Sequence, residues 1–205
     1  MSKFVPKSNW VRRFCKQYGK NFFVEVDQEF MTDNFNLLFL EGENYQRSLN
    51  VILNESESES EPDAEHNYDM EAAKLYGRIH SRFILTDHGI ELMYQKFQKG
   101  VFGTCPRVLC TRQKVLPIGM SDTPGKEMVR LYCPKCKEVY IPKSVRYAKI
   151  DGAYFGPNFP QMLFMAKPWA QPKRSKAKYV PRLFGFKIHP QAFGSESSDR
   201  QEADN

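Results

Sequence analysis

Four cysteines constrain this chain more than any other feature. Cys105 and Cys110 are separated by four residues, Cys133 and Cys136 by two, and the pairs by twenty-two. Two close pairs flanking an insert long enough to fold back are what a tetrahedral zinc site of the ribbon type requires, each pair forming one tight knuckle. Pro106 and Pro134, each following the first cysteine of its pair, help set the turns. The alternative is two disulfides, which a reducing compartment disfavours. Four thiolates also leave no open position for a catalytic water, so the expected ion is structural, one per chain. His88 and His189 have no motif to recruit them, and Cys15 falls in a helical pattern, where a thiol packs as a small apolar group.

The cysteines divide a chain whose two parts read differently, and the expected class is α+β. Residues 1–100 read as helical. Trp10, Phe14 and Tyr18 recur at helical spacing with Gly19 as a stop, and a second helix spans about 45–53 with Leu49, Ile52 and Leu53 inward. A third is expected to start near Asn67 or Asp69 and to carry Met70, Ala73, Tyr76, Ile79 and Phe83 on one face. A fourth should begin at Asp87, bury Ile90, Met93, Tyr94 and Phe97, and end at Gly100. From 101 to 157, short β-type runs at 128–132 and 138–141 alternate with Gly and Pro. Residues 158–193 read as an extended C-terminal segment, and the polar tail 194–205 as disordered.

Charge is segregated. Between residues 48 and 73 there is no Lys or Arg but eight acids, with an acidic loop expected near 54–65. Between 152 and 195 there is no Asp or Glu but seven cations. Such separation suits partners steered by electrostatics. No apolar run is long enough to span a membrane, and the first residues lack the apolar core of a signal peptide, so an intracellular protein of cytoplasm and nucleus is expected. The chain carries none of the common catalytic signatures: no phosphate-binding glycine loop, no H-R-D or D-F-G, no H-E-x-x-H and no G-x-S-x-G. A binding or regulatory protein, not an enzyme, is the expectation.

Several stretches carry a more specific resemblance. They include Phe102-Gly103-Thr104-Cys105-Pro106-Arg107-Val108, Leu116-Pro117-Ile118-Gly119, Leu131-Tyr132-Cys133-Pro134-Lys135-Cys136 and Asp151-Gly152-Ala153-Tyr154-Phe155-Gly156. Met162-Leu163-Phe164-Met165 and the run from Val180 through Phe184-Gly185-Phe186 to Pro190 extend it, as does Leu75-Tyr76-Gly77-Arg78-Ile79-His80 in the helical part. Together they resemble the regulatory (beta) subunit of casein kinase II over roughly residues 8 to 193. The resemblance implies a helical domain, a zinc-ribbon domain at 101–157 that forms a homodimer, and a segment at 158–193 that docks the catalytic (alpha) subunit, giving a heterotetramer. It implies zinc ligands at Cys105, Cys110, Cys133 and Cys136, and kinase contacts at Met162, Phe184 and Phe186, with Arg182 and Lys187 flanking them.

The departures point to a divergent paralogue. Ser2 is followed by Lys3, Phe4 and Val5 rather than by acids, position 184 is phenylalanine where the family usually has tyrosine, and Tyr147-Ala148-Lys149-Ile150 stands where some members are histidine-rich. Ser56, Ser58 and Ser60 each precede an acid by three residues, an arrangement an acidophilic kinase prefers. Two other readings compete. One is a nucleic-acid-binding zinc ribbon using the basic run Lys173-Arg174-Ser175-Lys176-Ala177-Lys178, although nucleic acid is not the expected partner. The other is a paralogue that dimerises but no longer regulates the kinase.

Overall fold

The helical half is organised around an aromatic stripe. In the computed structural model, which describes residues 9–19, 22–40, 44–53, 62–174 and 179–193, helix α1 (Asn9–Tyr18) buries Trp10, Val11, Phe14 and Cys15. Phe14 contacts Trp10, Tyr18, Phe23 and Tyr76 at ring-centroid distances of 4.6–5.5 Å. Gly19 ends the helix at φ +140°, a conformation open to little but glycine. Two short helices, α2 (Gln28–Thr32) and α3 (Asn34–Leu37), lead to α4 (Tyr45–Leu53), which buries Ser48, Leu49 and Ile52.

The longest helix, α5 (Pro62–Phe83), starts well before Asn67 and Asp69. Proline is at home in the first turn of a helix, so part of the expected acidic loop is helical backbone. Its buried face is Ala72, Ala73, Leu75, Tyr76, Ile79, His80 and Phe83, whereas Met70, expected inside, is exposed. Helix α6 (Asp87–Lys99) is bounded as expected: the Thr86 hydroxyl accepts from Gly89 N at 3.1 Å, and Gly100 closes it at φ +68°. Ile90, Met93 and Phe97 are buried, while Tyr94 is only half-buried.

Beyond residue 100 the chain forms a three-stranded antiparallel sheet in the order β1 (Leu116–Ile118), β2 (Arg130–Tyr132), β3 (Val139–Tyr140). Leu116 faces Tyr132, and Leu131 faces Tyr140. A short helix α7 (Val145–Ala148) and a 3-10 turn (Gly152–Tyr154) follow. The start of the expected extended segment is instead a helix, α8 (Phe159–Ala166), which buries Phe159, Pro160, Leu163 and Phe164 against α6 and β1. Lys167 fastens its end to α6 through Glu91 Oε2 at 2.6 Å. One continuous core, from Trp10 to Phe164, takes in the helices, the sheet and the four cysteines.

The matching motifs interlock across this core. A methyl group on Gly77 would sit 2.1 Å from the Tyr154 ring, and one on Gly119 would sit 2.2 Å from the carbonyl oxygen of Gly152, so neither site has room for a side chain. The compact unit extends to Arg174. Residues from Ser175 onward form a second unit, whose described part is a hairpin of β4 (Arg182–Leu183) and β5 (Phe186–Lys187) followed by a 3-10 turn (Pro190–Phe193). No helix among the described residues is long and apolar enough to cross a membrane.

Candidate metal centre

Each cysteine pair sits on its own knuckle, and the backbone fixes both. On the first, Cys105 N donates to Gln113 O at 2.7 Å, a 3-10 turn covers Val108–Cys110, and Thr111 and Arg112 take left-handed φ values of +52° and +57°. On the second, Cys133 N donates to Glu138 O at 2.9 Å, Lys137 N donates to Cys133 O at 2.8 Å, and Lys137 turns at φ +62°. The knuckles are tied together by Lys135, whose Nζ lies 3.3 Å from Cys110 O and 2.9 Å from Thr111 Oγ1.

The four sulfurs converge. All four cysteines are buried, and their Sγ atoms lie within 4.8 Å of one another, with Cys105 and Cys136 at 3.9 Å. Tetrahedral zinc–thiolate bonds of about 2.3 Å place sulfurs about 3.8 Å apart, so the cluster has the dimensions of a four-thiolate site, and all four cysteines are free of disulfides. The donor set suits zinc: soft, closed and tetrahedral. Burial pushes the Cys110 thiol up to about 11 and raises Cys133 as well, and hydrogen bonds with the neighbouring thiols of Cys105 and Cys136 act in the same direction. At Cys136, burial is outweighed by the Tyr140 hydroxyl 3.3 Å away and by the Glu138 backbone, and the thiol falls to about 7. A bound dication would favour all four thiolates. Lys135, which ties the knuckle backbones together, and Tyr140, whose hydroxyl meets Cys136 Sγ, have no signal in the sequence except their closeness to Cys136. His88 takes no part, since its Nδ1 lies 2.6 Å from Asp27 Oδ2. Cys15 is a packed thiol of the helical core.

The remaining expected residues lie elsewhere. Met162 is exposed on α8 among buried neighbours. In the second unit, Arg182 faces Lys187 across the hairpin and Leu183 faces Phe186. Phe184 and Gly185 form the two-residue turn with φ of +47° and +86°, the positive pair of a type I′ hairpin. Arg182 Nη1 closes it by donating to Gly185 O at 3.0 Å. Phe184 and Phe186 are 93% and 79% exposed, so the hairpin itself buries neither ring. Ser56, Ser58 and Ser60 lie outside the described residues, as do residues 175–178 of the basic run, of which Lys173 and Arg174 are exposed.

A helical region joined through one core to a small antiparallel sheet that carries two cysteine knuckles defines a protein with a ribbon-type cluster of four cysteines able to hold a metal ion. The model of the casein kinase II regulatory subunit family matches residues 9–187. Casein kinase II subunit beta' of Drosophila melanogaster is 58% identical over 190 residues, covering 91% of this chain and 87% of that protein. Casein kinase II subunit beta of Schizosaccharomyces pombe is 46% identical over 182 residues, 88% and 79% of the two chains, and subunit beta' of Saccharomyces cerevisiae 41% identical over 189, 89% and 73%. The chain belongs to the casein kinase II regulatory subunit family.

Proposed function

We propose that the chain is a non-catalytic regulator of casein kinase II that holds one structural zinc ion in Cys105, Cys110, Cys133 and Cys136, dimerises through this zinc ribbon (101–157) and binds catalytic alpha subunits as a heterotetramer. It works in the cytoplasm and nucleus, where reducing conditions keep the thiols available to metal. The observation that carries the kinase-binding part of this reading is the hairpin. Two phenyl rings stand in solvent on a turn where Phe184 adopts a left-handed conformation costing a residue with a side chain about 1 kcal/mol. Strain kept in order to present an apolar pair is expected of a docking element. Phe184 and Phe186 fill an apolar groove on the catalytic subunit, Met162 adapts to the same partner, and Arg182 and Lys187 steer the encounter.

Phe186→Ala tests this. Removing a buried interface aromatic costs about 2 kcal/mol or more, roughly thirtyfold in dissociation constant. Titration calorimetry against the purified catalytic subunit should record that loss, with the melting temperature and zinc content of the mutant unchanged, because the ring is exposed in the free chain. An unaltered affinity sinks the docking assignment.

The acidic run is the second element of regulation. Ser56, Ser58 and Ser60, followed at +3 by Glu59, Glu61 and Asp63, are substrates of the bound kinase. Each phosphate adds about −1.5 to −2 charge, and the strengthened negative field repels acidic substrates. Phosphosite mapping after incubation of the complex with ATP should find all three modified, and three unmodified serines would overturn the assignment.

A further inference from the structure

Three large apolar side chains stand in solvent on one short stretch of the helical region. Phe35 is 78% exposed, Phe39 is 86% exposed, and Leu38 lies open between them. All belong to α3 or the turn that follows it, and Phe39 holds a left-handed φ of +62°. The backbone here is firmly anchored. Arg78 donates to Phe39 O at 3.1 Å and Leu40 O at 3.3 Å, and Arg82 donates to Asn36 O at 2.7 Å. Helix α5 therefore grips the turn by three carbonyls while Leu37 and Leu40 are buried and Phe35, Leu38 and Phe39 stay outside, and the two guanidiniums are engaged with those carbonyls.

The same short helix borders an open groove of about 500 Å³. Asp27, Glu29, Asp33 and Asp87 line it, with His88 the one basic group among the described residues of the wall and its Nδ1 2.6 Å from Asp27 Oδ2, and Phe30 against Phe83 supplies an apolar part of the wall at 5.3 Å between rings. Asn36 faces this groove from α3, its amide donating to Phe30 O at 3.3 Å. Apolar ridge and acidic groove are thus adjacent faces of a single element.

The geometry points to a docking surface for a cationic protein segment that carries one or two large apolar residues. Its apolar side chains cover Phe35, Leu38 and Phe39, and its lysines or arginines lie along Asp27, Glu29, Asp33 and Asp87. Charge complementarity selects the occupant, because an acidic segment would meet Glu29, Asp33 and Asp87 beside the Asp27–His88 pair, and a neutral one would desolvate those carboxylates without return. The apolar contacts hold the segment, and the carboxylates speed and orient its arrival. This surface shares no residue with the hairpin or the metal centre.

Fluorescence anisotropy on the full chain tests it, with a labelled synthetic peptide of lysines interspersed with leucine and phenylalanine as the probe. Control peptides replace either the apolar residues with serine or the lysines with glutamate. The cationic apolar probe should bind tightest, and more weakly as salt rises. Phe39→Gly removes a ring from a left-handed position that glycine accepts freely. It should cut affinity at least about tenfold while leaving the melting temperature equal or higher, a combination that a packing role for Phe39 cannot produce. Asp33→Asn keeps the helix cap, which accepts from Phe35 N at 2.9 Å, and removes one charge. It should weaken binding and flatten the salt dependence. Equal binding by wild type and Phe39→Gly, equal binding by the serine control, or a change of oligomeric state in Phe39→Gly, which would assign the ridge to a second copy, each overturns the proposal.

Discussion

Cys133→Ser is expected to unfold the sheet half of the molecule and not merely to loosen it. Structural zinc in a small site contributes on the order of 10 kcal/mol of apparent binding energy that is also folding energy, comparable to the whole stability of a domain. Cys133 is fully buried, donates through its amide to Glu138 O, and shares a core with Leu116 and Val129. Serine would leave three thiols gathered around an incomplete tetrahedron and a polar hydroxyl buried among apolar neighbours. Because that core runs on without a break to Phe97 and Phe22, the damage should reach the helices, lowering the cooperative melting transition of the whole unit. Loss of dimer mass should accompany it. Elemental analysis should find one zinc per folded wild-type chain. A clear deficit of zinc in well-folded protein, or a Cys133→Ser variant that melts like wild type, removes the basis for a structural zinc.

The gathering of the four cysteines was legible in the sequence because its chemistry is local. Spacing alone announces a knuckle, and the soft donor set narrows the ion. Helices α1 and α6 were equally open to reading, since each pairs a periodic apolar face with a glycine stop. Elements that depend on distant partners were not. Strand β1 is three residues long, contains Pro117 and is buried throughout, so it offers no alternation to detect. Helix α8 is apolar nearly all round and carries Pro160 in its first turn, which makes it read as an unstructured apolar run. The early start of α5 was hidden by its polar first turns. The exposure of Phe35, Leu38 and Phe39 was hidden for the opposite reason: Phe35-Asn36-Leu37 is one of the stretches that resemble the family, but a large apolar residue reads as core until the fold shows the ring held outside. The interlock of Gly77 with Tyr154 joins motifs far apart in the chain, so the motifs could be matched to a family without revealing why both belong together.

His80 links those motifs and predicts how the fold responds to acid. It is completely buried; its Nδ1 lies 2.8 Å from the carbonyl oxygen of Tyr154, and its Nε2 accepts from Val24 N at 3.2 Å. Those partners assign the proton to Nδ1 and a lone pair to Nε2, the neutral tautomer. A second proton would have to displace the Val24 amide in a site enclosed by Phe23, Tyr76 and Phe155. Burial accordingly lowers the His80 pKa from 6.5 to about 4, against the opposing pull of the Tyr154 carbonyl. Above pH 6.5 neither the folded nor the unfolded chain protonates this group, and its contribution to stability is complete. Between 6.5 and about 4 the unfolded chain takes up a proton that the folded chain refuses, so stability falls as pH falls. Below about 4 both states are protonated and the loss levels off at about 3 kcal/mol. Acid also protonates carboxylates and competes with zinc for thiolates, but those effects are common to wild type and to His80→Gln. Glutamine cannot titrate in this range and retains one donor and one acceptor. Urea unfolding of both proteins from pH 7.5 to 4 isolates the histidine: the advantage of wild type over His80→Gln should shrink by up to about 3 kcal/mol as the pH drops. A difference that stays constant over that interval would mean His80 accepts its second proton within the folded protein.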